Sequence, residues 1–132
     1  MCYRLAMDVI HSNGAPAAIG PYSQAMRAGD FVFLSGQIPL DPSTGTLITG
    51  DIAKETEQVL KNLGAVLEAA GATYANVART TIYLIDMADF TTVNEVYGKL
   101  FSHKPPARAT VQVAALPRGA RVEIDAVAYV GA

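Results

Sequence analysis

Between Asp51 and Ala70 the apolar residues fall on one side of a helical period, with Val59, Leu63, Val66, Leu67 and Ala70 in register. Asp51 suits an N-cap and Gly71 the position just past the last turn, so the pattern predicts one helix over this span. Gly64 inside it costs roughly 1 kcal/mol against Ala, which predicts close approach of another element. A second helical period follows a cap at Asp86 or Asp89 and turns Phe90, Val93, Tyr97, Leu100 and Phe101 inward. The remaining apolar runs alternate with period two. They predict strands over Met7 to His11, Ala25 to Ala28, Phe31 to Gln37, Val77 to Ile85, the run opening at Arg108, and Arg121 to Tyr129. Gly29-Asp30 reads as a hairpin turn and Leu116-Pro117-Arg118-Gly119 as another, while 12–24 and 39–50 are Gly/Pro/Ser-rich loops.

The order is β-β-β-α-β-α-β-β, an α+β pattern with two helices, too few to cover both faces of one mixed sheet. Alternation sorts the strand residues into two sets. Val32, Leu34, Ile82, Leu84, Val111, Val113, Val122 and Ile124 form a face able to receive both helices. Phe31, Phe33, Ser35, Thr81, Tyr83, Arg108, Thr110, Gln112, Glu123 and Asp125 form the other. That second face is too apolar for open water and too polar for a core, so it is expected at an interface between copies of the chain.

Length and charge narrow the partners. At 132 residues the chain is expected to be a single domain over 1–132, with 1–7 an N-terminal extension. Charged residues make up only 17%, which agrees with subunits hiding part of the surface. A net charge of −2 argues against nucleic acid or a membrane surface as partner. No export signal and no apolar run of membrane-spanning length is read, so a cytoplasmic location is expected. The single cysteine, Cys2, cannot form an internal disulfide and is read as incidental.

The candidate chemistry is sparse. His11 and His103 stand alone without ligands at metal-binding spacing, and no phosphate-binding Gly-rich loop or nucleophile triad can be written, so no metal and no cofactor are expected. What remains is Arg108 and Glu123. Pro105-Pro106 stiffens the approach to Arg108, and a rigidly held guanidinium can grip a carboxylate with two parallel hydrogen bonds. If their strands pair or neighbour, Arg108 and Glu123 share one site, either as a cross-strand ion pair or as an anion clamp beside a general acid/base.

Five segments carry a family resemblance: Gly20-Pro21-Tyr22-Ser23-Gln24-Ala25, Ser35-Gly36-Gln37-Ile38-Pro39, Val93-Asn94-Glu95-Val96-Tyr97, Pro106-Ala107-Arg108-Ala109-Thr110-Val111 and Val122-Glu123-Ile124. In order and spacing they resemble the signature of the reactive intermediate deaminase (Rid, or YjgF-type) family, from about Ala15 to Ala128. The resemblance implies a chorismate-mutase-like α+β fold and a homotrimer with sites in the clefts between subunits. It also implies hydrolysis of 2-aminoacrylate/2-iminopropanoate and 2-iminobutanoate to 2-keto acids and ammonia. By the same resemblance Arg108 binds the substrate carboxylate, Glu123 handles water or a proton, and Tyr22, Ser35, Gly36, Asn94 and Thr110 line the site. Thr110 departs from relatives with Cys there, which excludes thiol chemistry. Two other readings stay open: a protein that binds or senses a small keto acid without turnover, and a ribonuclease or translation inhibitor, which the scarcity of basic residues disfavours.

Overall fold

The computed structural model describes residues 7–131. Cys2 and positions 1–6 of the expected extension lie outside them. Six strands form one sheet: β1 (Met7–Ile10), β2 (Ala25–Ala28), β3 (Phe31–Gln37), β4 (Val77–Leu84), β5 (Ala107–Gln112) and β6 (Val122–Tyr129). Their spatial order is β1-β2-β3-β6-β4-β5, antiparallel throughout except for the parallel pair β4–β5. Two helices, α1 (Ile52–Ala69) and α2 (Phe90–Leu100), lie on one face. The predicted element order is the observed one, with strand ends shifted by a residue, as at Leu84 and Val122.

The first helix forms where its sequence sets the limits. The Asp51 carboxylate accepts from the Ala53 and Lys54 amides at 3.0 and 3.3 Å, satisfying donors the first turn leaves free. Gly71, at φ +74°, turns the chain out of the helix. Val59, Leu63, Val66 and Leu67 are fully buried against Val32, Ile82, Leu84, Val122 and Ile124 of the sheet. The second helix departs from expectation. Asp86, not Asp89, provides the side-chain cap, and it caps a short 3-10 turn (Met87–Asp89) ahead of α2. Leu100 is 43% exposed and Val96 takes the inward position beside Val93 and Tyr97.

Gly64 does mark a close approach. The Tyr74 hydroxyl donates to the Leu60 carbonyl at 2.6 Å and lies in the space that a methyl group at position 64 would fill. Gly64→Ala is therefore expected to destabilise the fold by about 1–2 kcal/mol, because overpacking and the disturbed Tyr74 bond outweigh the gain in helix propensity. Urea unfolding measures this, and adding Tyr74→Phe should recover part of the loss by removing the obstructing oxygen.

One buried contact had no signature in the sequence. Glu55, buried in the first turn of α1, pairs through both carboxylate oxygens with the half-exposed Arg121 at the mouth of β6. The pair ties the helix to the sheet across 66 positions of chain, and Glu55 in turn raises the pKa of Arg121.

Candidate active site

Pairing register decides what faces what. In the row across β6, β4 and β5, Glu123 lies beside Tyr83 and Tyr83 beside Val111. The adjacent row sets Ile124 beside Ile82 and Ile82 beside Thr110, and further along Ala126, Thr80 and Arg108 align. Paired residues project to the same side. Thr80, Ile82, Ile124 and Ala126 are buried beneath the helices, so Arg108, Thr110 and Gln112 belong to the helix-covered side. Glu123, Tyr83 and Asp125 belong to the open side.

This corrects the expected faces. Val111 is 41% exposed on the open side, and Val113, past the end of β5, is only half-buried. The assignment from sequence joined the apolar half of β5 to the apolar face, but β5 is an edge strand and its parallel register with β4 fixes the opposite phase. It also corrects the expected meeting of Arg108 and Glu123. Strand β4 separates β5 from β6, and the two side chains lie on opposite faces of one sheet.

Each therefore has its own neighbourhood. Glu123 borders a cavity of about 240 Å³ together with Tyr22, Gly36, Pro16, Ile19 and Leu40. A methyl at position 36 would overlap the Glu123 carboxylate, so a glycine is required there for space. Burial raises the Glu123 pKa, and the nearby Asp125 carboxylate adds to the rise. Asp125 is itself held by the Tyr83 hydroxyl at 2.9 Å and the Thr81 amide at 3.2 Å. Ser35 lies at the irregularity in β3 where pairing with β6 shifts, and its hydroxyl donates to the Ser23 carbonyl at 2.6 Å. The Tyr22 hydroxyl accepts from the Ile19 amide at 3.3 Å, which ties it to the same loop.

Arg108 is held from below. Its guanidinium lies 4.9 Å from the Tyr97 ring centroid and 5.7 Å from that of Phe90, and Nη1 donates to Asn94 Oδ1 at 2.9 Å. The Tyr97 hydroxyl is fixed in turn by Thr80 Oγ1 at 2.6 Å. No carboxylate among the described residues pairs with Arg108, so the rest of its planar fork is available to an anion from outside. Thr110 Oγ1 is buried without a hydrogen-bond partner among the described residues, a cost normally avoided unless another group completes it.

The predicted site residues thus fall into two sets, Tyr22, Ser35, Gly36 and Glu123 in one, Asn94, Arg108 and Thr110 in the other. Of the cavity's lining, only Tyr22, Gly36 and Glu123 were predicted, and Gln24 and Arg118 are among the residues missed. Gln24 is buried and Arg118 has a left-handed backbone at φ 58°. A signal for Gln24 was present, since it stands inside the Gly20–Ala25 segment. Among the described residues no three His, Cys, Asp or Glu side chains converge as metal ligands would.

The sheet order, with both helices on one side, defines a chorismate-mutase-like α+β protein. The sequence profile described as "Endoribonuclease L-PSP" matches residues 12–130. A mouse protein named 2-iminobutanoate/2-iminopropanoate deaminase is 55% identical over 93% of this chain and 91% of its own length. A crystal structure of a Rid-family protein from Yersinia pestis superposes with a TM-score of 0.92 at 48% identity, covering 95% of this chain and 100% of that one. The Escherichia coli protein TdcF, crystallised with bound serine, superposes at 0.89 with 39% identity, over 92% of this chain and 98% of that one. The chain belongs to the Rid (YjgF-type) family and is RidA-like within it.

Proposed function

We propose that this chain hydrolyses reactive enamine/imine intermediates, 2-aminoacrylate/2-iminopropanoate and 2-iminobutanoate, to 2-keto acids and ammonia, in clefts shared between copies of a homotrimer. The activity is supported by the name of the mouse relative at 55% identity. The shared cleft is supported by a single observation, the separation of Arg108 and Glu123 on opposite faces of one sheet. A lone protomer presents an anion grip without an acid/base group near it, and an acid/base group without the grip. When the open face of one copy meets the β5 edge of the next, both halves come together. The open face suits such contact, because Phe31 and Phe33 are 44% and 50% exposed there, and Tyr129 and Val111 are exposed on the same face.

The chemistry follows from these groups. Arg108, braced by Tyr97 and Asn94, takes the substrate carboxylate with two parallel charge-assisted bonds and so fixes the C=N carbon in place. Glu123 accepts a proton from water as the water oxygen bonds to that carbon, giving a carbinolamine. It returns that proton to nitrogen to complete the carbinolamine, then takes the hydroxyl proton and delivers it to the nitrogen as the C–N bond breaks, so that ammonia leaves and the carbon becomes the ketone of a 2-keto acid. A carboxyl whose pKa is raised by burial suits both steps better than an ordinary surface carboxylate. Thr110 would satisfy its buried hydroxyl on the substrate or the neighbouring copy. The imine is already activated, so the reading needs no cofactor. Among the described residues no helix is long and apolar enough to cross a membrane, and the reading includes a cytoplasmic location.

The test generates the imine with a threonine or serine dehydratase and follows its loss by semicarbazide trapping. Faster loss with this protein supports the hydrolase; affinity for 2-oxobutanoate without turnover would replace it with the carboxylate-binding reading. Subunit mixing examines the shared cleft. Arg108→Ala and Glu123→Gln chains are each inactive alone, yet equal parts refolded together should regain about one quarter of wild-type sites, since a ring of three pairs each Arg108 with a neighbour's Glu123. No recovery on mixing would overturn the shared cleft.

A further inference from the structure

Gln24 immediately precedes β2 and is 3% exposed. Its Oε1 accepts from the Ser12 amide at 2.6 Å. Its Nε2 donates among the carbonyls of Ser12 at 3.1 Å, Ala15 at 3.4 Å and Pro16 at 2.8 Å. Its own carbonyl accepts from the Ser35 amide at 3.0 Å, next to the glycine on which Glu123 rests. The carboxamide thus fixes the 12–16 loop, while the backbone of the same residue is bonded to the strand that carries the Glu123 platform.

The residues that follow this anchor do little for the core. Ala17 is exposed and Ile19 is 74% exposed, yet both line the cavity that Glu123 borders. The same device recurs on the other wall. Asn62, buried in α1, donates through Nδ2 to the Ile38 and Leu40 carbonyls at 3.2 and 2.9 Å, and Gln58 holds its Oδ1 at 2.9 Å. Ile38 and Leu40 also line the cavity. Both apolar walls are therefore loop segments whose placement depends on a buried donor, and only a carboxamide supplies N–H and C=O at once.

We propose that Gln24 is a positioning residue that sets the apolar wall against which the substrate's alkyl side chain packs, and so sets selectivity for side-chain length. The proposal rests on the deaminase reading of the same cavity. It assigns Gln24 no contact with the reacting atoms; Arg108 and Glu123 keep those roles. A displaced wall loses contacts with the outer carbons of a longer substrate, while the shortest substrate has little to lose.

Full-length Gln24→Met and Gln24→Glu chains are compared with wild type on 2-iminopropanoate and 2-iminopentanoate. Gln24→Met should raise KM for the longer imine about tenfold, the scale of a methylene or more of pocket contact, with KM for the shorter one and both kcat values within about twofold. The Gln24→Glu chain loses selectivity at neutral pH and regains part of it as the pH falls, because the protonated carboxyl recovers one donor for the carbonyls. Equal losses on both substrates, or no loss, would overturn the proposal. If Gln24→Met fails to fold, the pH dependence of selectivity in Gln24→Glu decides alone. If wild type hydrolyses neither imine, the deaminase reading fails separately. The wall is then judged by calorimetric affinity for 2-oxopropanoate against 2-oxopentanoate, and an unchanged ratio in the variants, or no binding of either by wild type, refutes it.

Discussion

Arg108→Ala is expected to lower kcat/KM for 2-iminobutanoate by about a thousandfold. On the proposed reading, two charge-assisted hydrogen bonds to the substrate carboxylate are lost, each worth roughly 1.5–3 kcal/mol, and the C=N carbon is no longer fixed in place. Arg108→Lys should recover only a small part of this. An ammonium group restores the charge but offers no planar fork and stacks poorly on the Tyr97 and Phe90 rings that brace the guanidinium. Stability should change little in either variant, since a partly exposed cation over an aromatic face contributes about 0.5–1 kcal/mol. Trapping assays on protein of verified oligomeric state, with thermal melts alongside, provide the measurement. A correctly assembled Arg108→Ala protein with wild-type rates would remove the basis of the hydrolase reading.

Glu123→Gln is expected to lower kcat by about 10²–10⁴-fold, the usual range for a positioned acid/base group, with a much smaller change in KM. Its effect on stability runs the other way. Burial and Asp125 raise the pKa of Glu123 in the folded chain, so the folded state holds this proton more tightly than the unfolded chain does. Folding is therefore favoured where Glu123 is protonated, and that contribution is lost as the pH rises through the raised value. Glutamine does not titrate, so the variant should gain stability relative to wild type as pH rises from the carboxylate range towards neutral. Denaturant unfolding of both chains at several pH values reads this directly. An inactive chain that is no less stable at neutral pH is what a group kept for chemistry produces; a Glu123→Gln chain that loses stability with its activity would assign Glu123 a structural role instead.

Local signals carried most of the fold. The 3.6-residue repeat of Val59, Leu63, Val66 and Leu67 located α1 and its buried side, and Asp51 and Gly71 marked its ends. Gly29-Asp30 located the β2–β3 hairpin, since a turn residue acts on its immediate neighbours. The face of β5 was not legible in this way. Alternation separates Arg108 and Thr110 from Ala109 and Val111, but which set meets the helices depends on register with β4, more than twenty residues away. Hydrophobicity pointed the wrong way, because Val111 lies on the open side while Arg108 lies beneath α2 residues and Thr110 shares its side of the sheet. The members of the proposed site were drawn from five short segments, which carry no sign of their division into two sets. The Glu55–Arg121 pair and the Gln24 anchor were hidden for a related reason. Each joins segments whose meeting is fixed only once the sheet has formed.

The sheet that divides Arg108 from Glu123 also bears on inheritance. If the clefts are shared around a ring of three, as proposed, every copy lends its guanidinium to one cleft and its carboxyl to another. A chain defective in both groups but still able to assemble would silence two clefts of any mixed ring it enters. Where sound and defective copies are made together, activity should fall as the square of the sound fraction, so such an allele would be partly dominant.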